Sequence, residues 1–276
     1  MSFRWVLVAS CLLVARPESL SAQTAKSPTP KDGPLGMKFL PLPKATFYMG
    51  WNGKPGSAKK AEIMEDFEIA IHTVTQGQWQ AVMGNNPSFF SRDGKGKVKV
   101  ADIKDEDLKH FPVETVSCID AQEFIKKLNE KEDGKGYQYR LPSETEWEYA
   151  CRGGATSEEE CSYHFYFDKP TNDLSSTKAN FRGDSPFGKA RKGPYFDRPT
   201  KVGSYAPNKL GLYDMHGNVW QWCEDLWEKK GSDRVYRGGG WSNFGTDCQA
   251  ARRYGDALRF RSSLLGFRLT RVPLQR

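Results

Sequence analysis

The sequence predicts one domain that combines a few short helices with short strands and contains little other regular secondary structure. Three observations lead to this expectation. The 276 residues include 38% hydrophobic side chains and eight tryptophans, which is enough to bury a core. No repeat, heptad pattern or linker divides the chain after residue 36. From Gly153 onward the chain is rich in Gly, Pro, Asn, Asp and aromatic residues without long periodic runs, which indicates irregular loops around short strands.

Short strands and helices are predicted in the first half of the chain. Residues 37–43, 46–50 and 67–71 have the alternation that is typical of strands. The spacings that follow Thr75 and Ser143 are those of capping boxes, in which a hydroxyl accepts a backbone N–H and a Gln or Glu side chain reaches back, so helices should begin there. A third helix is expected to begin at Ser117. Gly84 and Gly153 are expected to provide left-handed helix stops.

The N-terminal residues have the three regions of a secretory signal. Arg4 precedes an apolar run, and small residues follow up to Ala22. We therefore expect residues 1–22 to be a signal peptide, residues 23–35 a flexible linker and residues 36–274 the folded domain. The apolar run is too short to span a bilayer, so no transmembrane segment is expected. Cys11 follows small residues as a lipidated cysteine would, but the apolar run before it is unusually brief. The protein is thus expected to be exported to the periplasm or the extracellular space.

The charge of the chain indicates which classes of partner suit it. The net charge of +7 comes from Lys and Arg scattered along the chain, which favours a solvated basic surface. A nucleic-acid site would need a clustered basic patch interleaved with aromatic residues, so nucleic acid is not an expected partner. Anionic polymers of the cell envelope suit such a surface through nonspecific attraction.

Without Cys11, five cysteines are left, and because this number is odd, at least one thiol should be unpaired.

Several motifs of the chain occur in a fixed order. The last third contains GLYDMHGNVWQW at residues 211–222, RGGGW at residues 237–241 and LGFR at residues 265–268, and further runs lie at residues 72–79, 112–117 and 139–154. Together they resemble the formylglycine-generating enzyme family, also called the sulfatase-modifying factors. The resemblance covers nearly everything from residue 36 to residue 272. It implies a single α+β domain with a C-type-lectin-like fold and little regular secondary structure.

The resemblance also implies structural calcium. The loop that would bind the ion through two side-chain oxygens and two main-chain carbonyls consists of Asp214, Gly217, Val219 and Gln221. Gln221 stands where the family usually has Glu, so the affinity should be lower than is typical of the family. The alternative is a loop held by its own hydrogen bonds and its two tryptophans. A second calcium site would begin at Asn180 and Phe181, but residues 192–199 offer no clear acidic partner for it.

The family's reaction converts a substrate cysteine to formylglycine, with a cuprous ion held by two protein thiolates that follow the glycine turn. Soft sulfur ligands select that ion. Counting forward from Gly240 puts Asn243 at the first cysteine position and Cys248 at the second. Since only one thiol is present, we expect the copper-dependent oxidase activity to be absent.

A second alignment gives Cys248 a structural role. Counting backward from residues 250–252 matches it to a family cysteine that pairs with the one at Cys151. Three hypotheses therefore stand for Cys248. It forms a disulfide with Cys151, which the resemblance favours, or it is a free and inert thiol, or it is a catalytic residue.

The sequence leaves three functional hypotheses open. The glycine turn near residue 240 is followed by only one of the two family cysteines. We expect a retained ligand groove beside it, lined by Trp241, Asn243 and Phe244. The first hypothesis is an exported binding module for a peptide, a protein or a cell-envelope ligand. The alternative is an oxidoreductase of the family that acts on a protein cysteine through Cys248 with copper. A purely structural, calcium-stabilised module is a third hypothesis.

Overall fold

The structure, a computed structural model, describes residue 1 and residues 28–274. The helices are α1 (Gln76–Met83), α2 (Asp105–Leu108), α3 (Cys118–Lys131) and α4 (Glu144–Cys151), with 3₁₀ helices at Pro34–Gly36, Lys97–Val100 and Gly245–Cys248. The strands are β1 (Lys31–Asp32), β2 (Lys38–Leu42), β3 (Ala45–Met49), β4 (Lys59–Ile63), β5 (Phe67–Ala70), β6 (Tyr137–Arg140), β7 (Phe165–Tyr166), β8 (Pro170–Thr171), β9 (Trp220–Leu226), β10 (Arg234–Arg237), β11 (Arg253–Asp256), β12 (Leu265–Phe267) and β13 (Thr270–Pro273).

Two sheets organise the domain. The larger has five strands in the order β1-β2-β5-β13-β6, so the C-terminal strand β13 lies between β5 and β6, which come from the first 140 residues. The smaller has four strands in the order β11-β10-β9-β12, and its β9 and β12 are parallel. The pairs β3-β4 and β7-β8 form separate two-stranded sheets. Few and short elements joined by long loops agree with the α+β class expected from the sequence.

The three predicted helix starts are confirmed by their caps. The hydroxyl of Thr75 accepts the backbone N–H of Gln78, and the side chain of Gln78 accepts the N–H of Thr75. Ser117 and Ser143 form the same reciprocal pair with the residue three positions later. Each such box satisfies two backbone groups that the first turn of a helix leaves without a partner.

The five-stranded sheet is covered by apolar side chains on both faces. Phe39 of β2 belongs to a cluster with α1 and α3, where the rings of Trp79 and Phe124 stack at 5.4 Å. The next residue, Leu40, points to the opposite face and joins a cluster around Trp147 of α4. This alternation is the period of two that a strand imposes. The large aromatic side chains supply buried apolar area that the short elements alone could not.

The folded domain begins earlier in the chain than the boundary predicted at residue 36. Lys31–Asp32 already pair with β2, and the ammonium of Lys31 forms an ion pair with the buried carboxylate of Glu68. The predicted signal peptide, Cys11 and the first part of the predicted linker lie outside the described residues, apart from residue 1. Within residues 28–274, no helix is both long enough and apolar enough to cross a bilayer.

Candidate functional site

The turn after β10 packs closely against the side chain of Cys248. Gly239 has a φ of 80°, a conformation that favours glycine, and a Cβ added there would lie 2.5 Å from Sγ of Cys248. Oδ1 of Asn243 accepts the backbone N–H of Gly240 at 3.0 Å and Nε1 of Trp220 at 2.8 Å. The position that the forward alignment matches to the first family cysteine therefore carries an amide, and its oxygen is already engaged in holding the turn.

Cys248 ends the 3₁₀ helix after this turn and is completely buried. Its Sγ lies 3.7 Å from the carbonyl oxygen of Phe244, and the side chain packs in an apolar cluster that includes Phe165 and Phe181. Burial, and then the negative charge of Asp247, raise the pKa of this thiol far above its usual range. A reactive cysteine needs thiolate character and access, and this environment opposes both.

The disulfide predicted between Cys151 and Cys248 is not formed, because both residues are free thiols in the structure. The imidazole of His216 bridges the two residues instead. Its Nε2 lies 3.6 Å from Sγ of Cys151 and accepts the backbone N–H of Tyr166, while Nδ1 donates to the carbonyl oxygen of Cys248 at 2.7 Å. Burial lowers the pKa of His216 to about 4, so this ring is neutral. The contacts of this buried histidine are not visible in the sequence.

An aromatic cleft of about 310 Å³ lies beside Asn243. The residues that line it are Trp220, Tyr236, Asn243, Tyr254, Phe260, Ser262, Leu264 and Leu265. The ring of Trp220 is nearly perpendicular to those of Tyr236 and Tyr254, with centroids 5.3 Å away in both cases. Tyr236 and Tyr254 are opposite each other in the β10-β11 pair. Burial, and then the nearby Asp256, raise the pKa of Tyr236 to about 12, so that its phenol keeps its proton.

Of the three residues predicted to line a groove, the structure places only Asn243 in this cleft. Trp241 is buried in a separate cluster, where its ring meets that of Phe90 edge to face at 5.2 Å. Phe244 is 48% exposed and lies under the guanidinium of Arg182. Tyr236 and Tyr254 were not predicted from the sequence, although a tyrosine in each of two adjacent strands is a signal that could have indicated them.

The predicted calcium loop is held together by hydrogen bonds through Gln221. Its Oε1 accepts Nε1 of Trp147 at 2.8 Å and Nε of Arg268 at 2.6 Å, and its Nε2 donates to the carbonyl oxygen of Asp214 at 2.9 Å. The carboxylate of Asp214 accepts the backbone N–H of Gly203. The predicted calcium oxygen of Gln221 is thus engaged twice, and a buried guanidinium lies beside it. In this arrangement the residues of the loop do not fit a calcium ion, and the calcium that the family resemblance implies is untested.

The predicted second calcium site is also occupied by protein contacts. Nδ2 of Asn180 donates to the carbonyl oxygen of Arg198 at 3.0 Å and to Oδ1 of Asn218 at 3.2 Å. The side chain of Phe181 packs in the cluster that contains Cys248. Asp197, a candidate acidic partner, instead forms an exposed ion pair with Lys99. In the part of the chain that the structure describes, no group of three or more His, Cys, Asp or Glu residues could hold a metal.

We expect the melting temperature to be the same in millimolar calcium and in EDTA, within about 1 °C. The reason is that Trp147, Gln221 and Arg268 already satisfy the polar groups of the loop. A structural calcium at 100 times its Kd would add about 2.7 kcal/mol, which corresponds to roughly 5–10 °C for a domain of this size. Differential scanning calorimetry of the same sample in the two buffers decides between these results. A shift of that size would establish the calcium site.

The chain is similar to a protein family and to several known proteins. A profile of the sulfatase-modifying factor enzyme 1-like domain matches residues 26–273. The chaperone protein LppX of Paenibacillus barcinonensis is 29% identical over 232 residues, which cover 68% of this chain and 74% of that protein. The inactive C-alpha-formylglycine-generating enzyme 2 of Mus musculus is 36% identical over 138 residues, which cover 47% of this chain but only 42% of the mouse protein.

The solved structures establish the fold. PvdO from Pseudomonas aeruginosa superposes with a TM-score of 0.66 at 24% identity, and the match covers 90% of this chain and 99% of PvdO. At this level of identity the likeness shows the fold alone. The expected α+β class with a C-type-lectin-like fold is confirmed.

Proposed function

We propose that this chain, which belongs to the sulfatase-modifying factor family, is an exported domain that binds a peptide or a cell-envelope ligand and does not oxidise cysteine to formylglycine. The observation that carries the proposal is the state of the turn after β10. In the forward alignment an amide, that of Asn243, stands at the first cysteine position, and its oxygen accepts hydrogen bonds from Gly240 and Trp220. The remaining thiol, Cys248, is buried.

Two thiolates are the ligands that the family's cuprous ion requires, and this turn supplies at most one. The residues present therefore do not fit copper. Cys248 could contribute only after leaving its apolar cluster and losing its proton, and burial opposes both changes.

The aromatic cleft supports the binding role. Its walls are rigid rings that contact one another, so little conformational freedom is lost when a ligand enters. No Lys, Arg, Asp or Glu lines it among the described residues, which suits a neutral part of a ligand. Two relatives have names in keeping with this proposal, since one is called a chaperone protein and another an inactive enzyme. Export rests on the signal-like N-terminus of the sequence.

The test of the missing activity is an assay with a sulfatase-type peptide that contains Cys-x-Pro-x-Arg. We expect no formylglycine by mass spectrometry when purified protein, copper, oxygen and a thiol reductant are supplied. A copper-loaded formylglycine-generating enzyme serves as the positive control. Turnover that Cys248→Ala abolishes, and that the matched buried variant Cys118→Ala retains, would instead establish the oxidoreductase alternative.

The binding role is tested at the cleft. Tryptophan fluorescence is measured during titration with a pool of unstructured peptides and, separately, with solubilised cell-envelope polymer. Tyr254→Ala is expected to weaken binding by about 5- to 30-fold, because aromatic side chains dominate such contacts. Tyr195→Ala, which removes a tyrosine outside the cleft, is the control. Equal binding by the two variants would exclude the cleft as the binding site.

A further inference from the structure

A second cavity lies on another part of the domain and has a different chemistry. Its volume is about 570 Å³, within the range of sites for small molecules, and none of its lining residues belongs to the aromatic cleft. It is bounded by the 3₁₀ helix Pro34–Gly36, the first turns of α1, and the backbone near residues 109 and 202. Most of its walls are apolar, with Met37, Ile71, Val74 and Val202 among them.

The walls of this cavity are fixed by backbone hydrogen bonds. The N–H of Gly77 in α1 donates to the carbonyl oxygen of Lys109 at 2.8 Å. The N–H of Val202 donates to the carbonyl oxygen of His110 at 3.0 Å. These bonds join three separate segments around one opening, so the cavity exists before any ligand binds. A preformed site avoids the cost of ordering the protein on binding.

The charged residues of the cavity are all basic. Lys38, Lys109 and Lys201 contribute to the lining, and no Asp or Glu does so within the described part of the chain. Lys38 and Lys201 have carboxylate partners outside the lining, Asp32 and Asp107. Among residues 28–274, no carboxylate forms an ion pair with Lys109, which is exposed at the rim. Lys109 thus stands, without an ionic partner in the described residues, at the edge of an apolar hollow.

The two histidines of the cavity show how the charge is distributed. Burial, and then the positive charge of Arg268, lower the pKa of His72 to about 4, so this inner ring is neutral. The pKa of His110 at the rim is also lowered, first by burial and then by the positive charges of Lys201 and Lys109. Asp107 has the smallest effect and opposes this lowering. The charged groups that line the cavity are therefore lysines, while the inner ring of His72 is neutral.

We propose that this cavity binds a small apolar carboxylate, with the alkyl or aryl group among Met37, Ile71 and Val74 and the carboxylate at the rim beside Lys109. An apolar group removed from water supplies most of the affinity, at about 0.8 kcal/mol for each buried CH₂. The exposed charge pair supplies discrimination between head groups rather than strength. This site does not depend on the function proposed for the aromatic cleft.

Three ligands with the same alkyl chain test the proposal: octanoate, 1-octanol and octylammonium, titrated calorimetrically into the protein. We expect octanoate to bind about two- to fivefold more tightly than 1-octanol, and octylammonium to bind most weakly. Lys109→Gln should remove the advantage of octanoate and leave the affinity for 1-octanol unchanged. Lys126→Gln, which removes an exposed lysine of α3 away from the cavity, is the matched control.

A second variant tests the location. Ala81 lies at an exposed position of α1 on the edge of the cavity, so Ala81→Phe should occupy the hollow without disturbing the core. We expect this variant to lose octanoate binding and to keep the wild-type melting temperature. If 1-octanol binds as tightly as octanoate, or if the two lysine variants behave alike, the carboxylate assignment is wrong. If none of the three ligands binds, or if Ala81→Phe binds octanoate normally, the cavity is not the site.

Discussion

Replacing Arg237 with alanine is expected to lower the free energy of unfolding by about 3–5 kcal/mol, since it leaves a buried carboxylate without one of its partners. Arg237 is 1% exposed and forms ion pairs with Glu148 and with Glu144. Its guanidinium also donates to the carbonyl oxygens of Ala250 and Ala251. Glu148 is fully buried and, among the described residues, would retain only Arg152 as an ionic partner.

Urea denaturation of the wild type and of three variants measures this effect. Arg191→Ala removes an exposed arginine and should change the free energy of unfolding by less than about 0.5 kcal/mol. Glu148→Gln should be destabilising as well, because it leaves Arg152 and Arg237 without the charge that both contact. A loss below about 1 kcal/mol for Arg237→Ala would mean that water or neighbouring groups replace the ion pair.

This ion-pair network separates what the sequence could predict from what it could not. Glu148 of α4 and Arg152, the residue that caps the C-terminus of this helix, are four residues apart, so their contact follows from helical geometry. Arg237 lies 89 residues farther along the chain than Glu148, and no local pattern connects them. Such a contact depends on how the four-stranded sheet docks on α4, which is a property of the whole fold.

The same distinction between contacts local in sequence and contacts set by the whole fold explains which other features could be predicted. The caps at Thr75, Ser117 and Ser143 were predictable because each involves a side chain and a backbone group only three residues apart. The β1 strand was missed because its two residues have no apolar alternation, and their pairing with β2 depends on the surrounding fold. The disulfide between Cys151 and Cys248 was inferred from a family resemblance, which does not report the imidazole of His216 in contact with both residues.

The site was predicted less completely than the fold. The importance of the turn after Gly240 followed from the order of the motifs, and Asn243 does hold this turn and line the cleft. The neighbours of Asn243 in sequence were expected to share its surroundings. They do not, because the backbone reverses direction there, so that Trp241 enters the core and Phe244 faces solvent.

Glu114 should make the protein less stable as the pH rises from about 4.5 to 7. Its carboxyl group is completely buried, accepts the N–H groups of Phe89 and Phe90 and the hydroxyl of Thr115, and has no ionic partner in the described residues. Burial raises the pKa of Glu114 to about 7, against an ordinary value of 4.5, although these hydrogen bonds lower it in part.

The sign of the effect follows from proton linkage. Between these two pKa values the folded state binds the proton and the unfolded state does not, so the free energy of unfolding falls as the pH increases. The contribution is complete below about pH 4.5 and is lost above about pH 7. A difference of about 2.5 pKa units corresponds to roughly 3 kcal/mol.

Comparison with variants isolates this group from the other carboxylates. Glu114→Gln cannot titrate, so between pH 4.5 and pH 8 the wild type should lose about 2–3 kcal/mol relative to this variant. Glu130→Gln changes an exposed glutamate of α3 and should retain the slope of the wild type. Denaturant unfolding at several pH values gives the three curves. Parallel curves for the wild type and Glu114→Gln would show that the buried carboxyl group ionises at its ordinary pKa, which would require water to reach it in the folded protein.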